Sequence, residues 1–159
     1  MIRPDLIADA VQRKLADIDR HAAMLQDQYL SHGGHLYYAD PGSLATITTT
    51  LAIVQMQADA DPVPTPPPVA GYWMSADRDQ ETGGRRIVAM TCGQFKQLAR
   101  ALYDRNAALW GAKQVHYATV EAMAAAGATA EQILQYDHTA GWPECSTITR
   151  PAGRKQPER

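Results

Sequence analysis

The chain has 159 residues, 45% of them hydrophobic, with 15 basic against 17 acidic residues and a formal net charge of −2. That length and apolar content suit one folded domain with a sizeable core, and the near balance of charge leaves no bulk positive field for nucleic acid or an anionic membrane. The opening residues Met1-Ile2-Arg3-Pro4-Asp5 are polar and no apolar span of about 20 residues occurs, so neither a secretory leader nor a membrane helix is expected and the cytoplasm is the expected compartment. Of the two cysteines, Cys92 and Cys145, the reduced form is the expectation that goes with this compartment.

Residues 5 to 30 read as one helix, opened by Pro4, filled with alanine, leucine, glutamine and charged residues, and stopped by Gly33-Gly34. Ala8, Val11, Leu15, Ile18, Ala22, Leu25 and Tyr29 alternate at three- and four-residue spacing, which is a heptad stripe about three heptads long. Two readings stay open. The stripe either packs on the chain's own domain or makes a homo-oligomer, with Val11, Leu15, Ile18 and Leu25 as the contact residues. The opposite face, with Asp9, Arg13, Lys14, Asp17, Asp19 and Arg20, mixes signs and reads as solvated.

His35-Leu36-Tyr37-Tyr38-Ala39 has strand composition, and Asp40-Pro41-Gly42 reads as a turn with Ser43 as the cap of a second helix that runs to about Ala58. Thr46, Thr48, Thr49 and Thr50 are poor helix formers and leave a strand as the alternative there. Pro62, Pro64, Pro66, Pro67 and Pro68 then predict an extended spacer, since proline has no amide hydrogen to donate.

Tyr72-Trp73-Met74-Ser75 and Arg86-Ile87-Val88-Ala89-Met90 predict a hairpin around a charged loop that ends in Gly83-Gly84. Those glycines lead into a strand, so they are no phosphate cradle. Thr91-Cys92-Gly93-Gln94 matches a capping box, and the helix it opens is expected to continue to Ala126, weakened at Gly111 and stopped at Gly127. Thr129-Ala130-Glu131-Gln132 opens a short last helix expected to pack back as a helical hairpin, and the basic tail from Ser146 reads as disordered.

Chemistry is harder to find. His32 and His35 form an H-x-x-H pair near Asp40, which is too few ligands for a metal site, and the same histidines suit a helix terminus. Cys92 in a helical first turn would need His116 or His138 beside it to act as a nucleophile, and cysteine is more often simply buried. Asp104, Glu121, Glu131 and Asp137 show no paired-carboxylate logic. Trp73, Trp110 and Trp142, with Tyr72, Tyr103, Tyr117 and Tyr136, form either core or an aromatic contact surface. The expectation is a protein with no catalytic, metal-binding or cofactor-binding residues.

The order of Tyr38, Asp40 and Ser43 at the first turn, Trp73 on the hairpin, Thr91 and Phe95 at the helix start and Gly141-Trp142-Pro143 at the end resembles a domain of unknown function encoded in phage and prophage tail modules. The resemblance covers roughly residues 33 to 143. It implies a tail-fibre-associated or tail-assembly protein without known catalytic residues, present in the host cytoplasm during assembly or in the virion tail. The expectation is an α+β chain in five parts: a helical arm over 1–32, a strand-turn-helix segment over 33–61, a spacer over 62–70, a hairpin with a helical hairpin over 71–145, and a tail over 146–159. The expected partner is a phage tail or fibre protein, with a second copy of the chain for the heptad arm, and with no nucleic acid and no membrane. The alternative is a small non-catalytic regulator or inhibitor of host machinery.

Overall fold

The computed structural model describes residues 4–58, 69–78 and 83–143. The proline run at 62–68, the loop tip at 79–82, Cys145 and the tail from 146 lie outside the described residues, and with them the expectations made for those segments.

The fold is α+β. In chain order it contains α1 (Pro4–Gln26), β1 (Tyr29–His32), β2 (His35–Tyr38), α2 (Pro41–Ala58), β3 (Gly71–Arg78), β4 (Arg85–Met90), α3 (Cys92–Ala125) and α4 (Ala130–Gln135). No helix among the described residues is long and apolar enough to cross a membrane.

The first helix ends four residues earlier than its sequence predicts. Tyr29–His32 pairs antiparallel with His35–Tyr38, in register from Tyr29 opposite Tyr38 to His32 opposite His35. Gly33 and Gly34, at φ of 57° and 82°, form the two-residue loop between them. A glycine pair serves equally as a helix stop and as the left-handed turn that matches strand twist, and here the aromatic Tyr29 and Tyr38 rings, 5.2 Å apart, favour the hairpin.

Asp40, not Ser43, caps α2. Its Oδ1 accepts the Ser43 N–H at 3.0 Å, its Oδ2 accepts the Ser43 hydroxyl at 2.7 Å, and its carbonyl accepts the Leu44 N–H. Pro41 then sits at the first helical position, where a missing N–H costs nothing. The threonines are accommodated because Thr46, Thr48 and Thr49 each donate a hydroxyl to the carbonyl four residues back.

β3 and β4 pair antiparallel, from Gly71 opposite Met90 to Arg78 opposite Arg85, with an irregularity between Met74 and Arg78. The capping box of α3 is complete: the Gln94 N–H donates to Thr91 Oγ1 at 3.2 Å and the Thr91 N–H donates to Gln94 Oε1 at 2.8 Å. Its 34 residues run through Gly111 without interruption, a span of about 51 Å at 1.5 Å per residue. Gly127, at φ of 82°, closes it: the Ala128 N–H reaches the Met123 carbonyl and the Gly127 N–H the Ala124 carbonyl, the paired bonds of a Schellman ending. The box at Thr129 is likewise complete.

α3 carries two hydrophobic clusters. On its first half Phe95, Leu98 and Leu102 meet Tyr37, Ala39, Ile47, Val54 and Met90 from the hairpins and α2. On its second half Val120 meets Ala10 and Ile18 of α1 and Ile133 of α4. α4 rests more on α1 than on α3, so the expected helical hairpin is in fact a three-helix contact. Polar side chains stitch α1 to this frame. Lys113 Nζ lies 2.6 Å from Asp19 Oδ1, the Tyr117 hydroxyl donates to the same oxygen, and buried Lys14 donates to the Tyr136 carbonyl at the end of α4. Arg105 donates to the Leu25 and Gln28 carbonyls at the end of α1, where a cation also complements the helix dipole.

Candidate functional site

Val11, Leu15 and Ile18, the expected oligomer contacts, pack in the second cluster against α3 and α4 of the same chain, with Ile18 fully buried. Leu25 is half-buried at the end of α1. The middle of the heptad stripe is thus occupied from within, while Ala8 at its start is exposed.

The histidines divide between two places. His35 Nδ1 lies 3.1 Å from Asp77 Oδ2, and the other oxygen of that carboxylate accepts the Leu36 N–H at 3.0 Å. Asp77 thereby joins β3 to β2, a role that Asp40, engaged with Ser43, does not take. Among the described residues no three His, Cys, Asp or Glu side chains are grouped to hold a metal.

His21, His116 and His138 converge around Trp142. The His116 ring stacks on Trp142 at 5.0 Å, His21 approaches it at 5.3 Å and His138 at 5.7 Å from His21, and the indole N–H donates to the His138 carbonyl at 2.7 Å. His116 Nδ1 lies 2.7 Å from the Tyr136 hydroxyl. Burial, followed by repulsion from His138, holds both His21 and His116 below the usual imidazole range. This is an aromatic clasp that ties the segment after α4 to α1 and α3, and it accounts for Gly141-Trp142 in packing terms.

Cys92 has no histidine partner. It lies half-buried in the first cluster, whereas His116 lies 24 residues further along the same helix, about 36 Å away at 1.5 Å per residue, and His138 lies with His116. Trp73, half-buried, packs against the first cluster and meets the Phe95 ring edge-on at 6.2 Å.

Large apolar side chains are exposed on α2 (Ile53, Met56), on α3 (Tyr103, Trp110, Val115) and on the outer face of the strands, and the strand face borders a groove. On β3 and β4, Trp73 and Val88 point inward to the first cluster, so Tyr72, Met74 and Ile87 point outward, and they are 69%, 47% and 63% exposed. Met74 and Ile87 are cross-strand partners. Arg85 reaches over this face: its guanidinium lies 3.5 Å from Met74 Sδ and 5.6 Å from the centre of the Tyr38 ring. Beside it an open groove of about 470 Å³ is lined by Tyr38, Trp73, Met74 and Arg85 on the strand side and by Asp40, Ser43 and Thr46 at the start of α2. The Ser43 hydroxyl and then the Ser43 N–H hold the Asp40 carboxyl below its usual range, so it stays ionised as a cap.

Aromatic side chains, methionine and arginine around a shallow groove are the composition of a protein contact surface. Sequence reading singled out Tyr72 and Trp73 but missed Arg85, because Arg85, Tyr38 and Met74 come from three strands and form no linear motif. One signal was present: Tyr72-Trp73-Met74 and Ile87-Val88-Ala89 are apolar at both parities, which on a strand leaves one apolar face for something other than the core. No family model, curated protein or solved structure matches the chain.

Proposed function

We propose that this chain is a phage or prophage tail-associated protein, structural or fibre-assembling, that acts through protein contacts made by the outer strand face. The order of residues from Tyr38 to Gly141-Trp142-Pro143 supports the tail assignment. The observation that carries the contact reading is the exposed Tyr72, Met74 and Ile87 set beside Arg85 and the groove. Exposed apolar side chains gathered on one face favour burial against a partner, since about 25 cal/mol is gained per Å² of apolar surface removed from water.

The test is co-expression of the tagged chain with the tail and fibre proteins of its module. The wild-type chain is expected to retain one of them through size exclusion, and Tyr72→Ser with Ile87→Asp is expected to lose it while circular dichroism stays unchanged. Equal retention by the variant would remove the strand face from the function. Retention of a host protein in place of a fibre protein would favour the alternative, a small regulator of host machinery.

A further inference from the structure

We propose that the partner reaches this surface as an extended acidic segment that adds to the free edge of β4 as a third strand, placing two consecutive carboxylates against Arg85 and Arg86 and an apolar side chain against Ile87. The inference rests on the contact reading above and names its partner's chemistry.

Three observations converge on it. The first is topology. β3 and β4 form a two-stranded sheet, and β3 has its other side against β2 through the Asp77 contact with Leu36 and His35. β4, like β1, is therefore an outer strand among the described strands, and its edge offers a row of peptide groups to another chain. The second is exposure: Arg85, Arg86, Ile87 and Ala89 of β4 are exposed and Val88 is half-buried, so the strand is accessible as far as Ala89, with Met90 buried at its end.

The third is charge. Arg85 is held by the Met74 sulfur and the Tyr38 ring, and neither Arg85 nor Arg86 forms an ion pair among the described residues. Beyond them Ile87-Val88-Ala89-Met90 carries no charge. An incoming strand of matched pattern has two acidic residues at one end and apolar side chains at every second position after that. Because neighbouring strand residues face opposite sides, one carboxylate meets Arg85 on the outer face and the next meets Arg86 on the other. Cross-strand opposite charges and apolar pairs are the units that stabilise such an addition.

The experiment uses the full chain and short fluorescent peptides in which two consecutive glutamates stand at one end of alternating valine and threonine, made in both sequence orders so that parallel and antiparallel addition are covered. Anisotropy is expected to show at least one order binding about tenfold more tightly than its lysine-for-glutamate counterpart, the scale of one or two charge-assisted contacts. Arg85→Glu with Arg86→Glu is expected to reverse that preference, and N-methylation of alternate peptide amides to weaken binding by about tenfold, since strand addition needs those donors. Equal binding of glutamate and lysine peptides, no binding of either, or indifference to N-methylation would overturn the proposal. If the peptides fail while the fibre protein is still lost from Tyr72→Ser with Ile87→Asp, strand addition falls and the contact reading stands.

Discussion

Gly111 shows how a residue's cost depends on what surrounds it. It lies inside α3 with open space where a Cβ would go and without a positive φ, so nothing in the fold requires glycine there. Gly111→Ala is expected to stabilise the chain by about 0.5–1 kcal/mol in chemical denaturation, because alanine loses less freedom on entering a helix. His21 and His116 set a pH dependence at the same scale. Both sit below the ordinary value of 6.5 in the folded chain, through burial first and His138 second, with Asp137 pulling the other way and, for His116, the Ala140 carbonyl also doing so. The unfolded chain therefore takes up protons at a higher pH than the folded one. Their stabilising effect is complete above about 6.5 and is lost as pH falls below it towards the lowered values. The melting temperature should drop between pH 7.5 and 5, and His116→Gln should flatten that slope; a melting temperature that rises on acidification would contradict the clasp.

At the scale of elements, most of the helix starts are legible because a capping box is a local contract between a side chain and amides three residues away. Thr91 with Gln94 and Thr129 with Gln132 form in the fold what their spacing predicts. Gly33-Gly34 was ambiguous for a physical reason: the same left-handed backbone ends a helix or turns a hairpin, and the choice falls to the partners of Tyr29 and Leu30, which come from β2 and α3. Gly33→Ala, at φ of 57°, is expected to cost about 1–2 kcal/mol in a denaturation midpoint experiment, a penalty that a helix-terminal glycine exposed beyond α1 would share only if its φ were likewise positive. The threonine run of α2 was ambiguous in the same way, and its hydroxyl bonds to preceding carbonyls decide it for helix.

For the whole molecule, the two clusters on α3 make the amino-terminal helix part of the core and not an appendage. Periodicity could locate the stripe of Val11, Leu15 and Ile18, but a stripe does not carry the identity of its partner, and Val120 and Ile133 lie more than 100 residues away. Leu15→Asp with Ile18→Asp should therefore unfold the second cluster, seen as lost near-ultraviolet dichroism, and Ile18→Ala alone should cost about 2–5 kcal/mol. A chain shortened to begin at Gly34 would leave Val120 and Ile133 without cover and is expected to aggregate in light scattering. A well-folded monomer from that shortened chain would show that the second cluster does not need α1. The contact surface was the least legible part, since Arg85, Tyr38 and Met74 meet only after three strands have been placed.

The joint between the hairpins bears on how that surface behaves. A backbone ladder obliges neighbouring strands to shear and twist as one block, whereas among the described residues β2 and β3 belong to separate ladders and meet through side chains, with the Asp77 carboxylate taking the Leu36 amide and the His35 imidazole. The seam between the hairpins is packed and pinned, not laced. Tyr38 stands on one side of that seam and Trp73 and Met74 on the other, so the groove straddles a joint made of side chains, with Asp77 among the contacts that hold its two walls together.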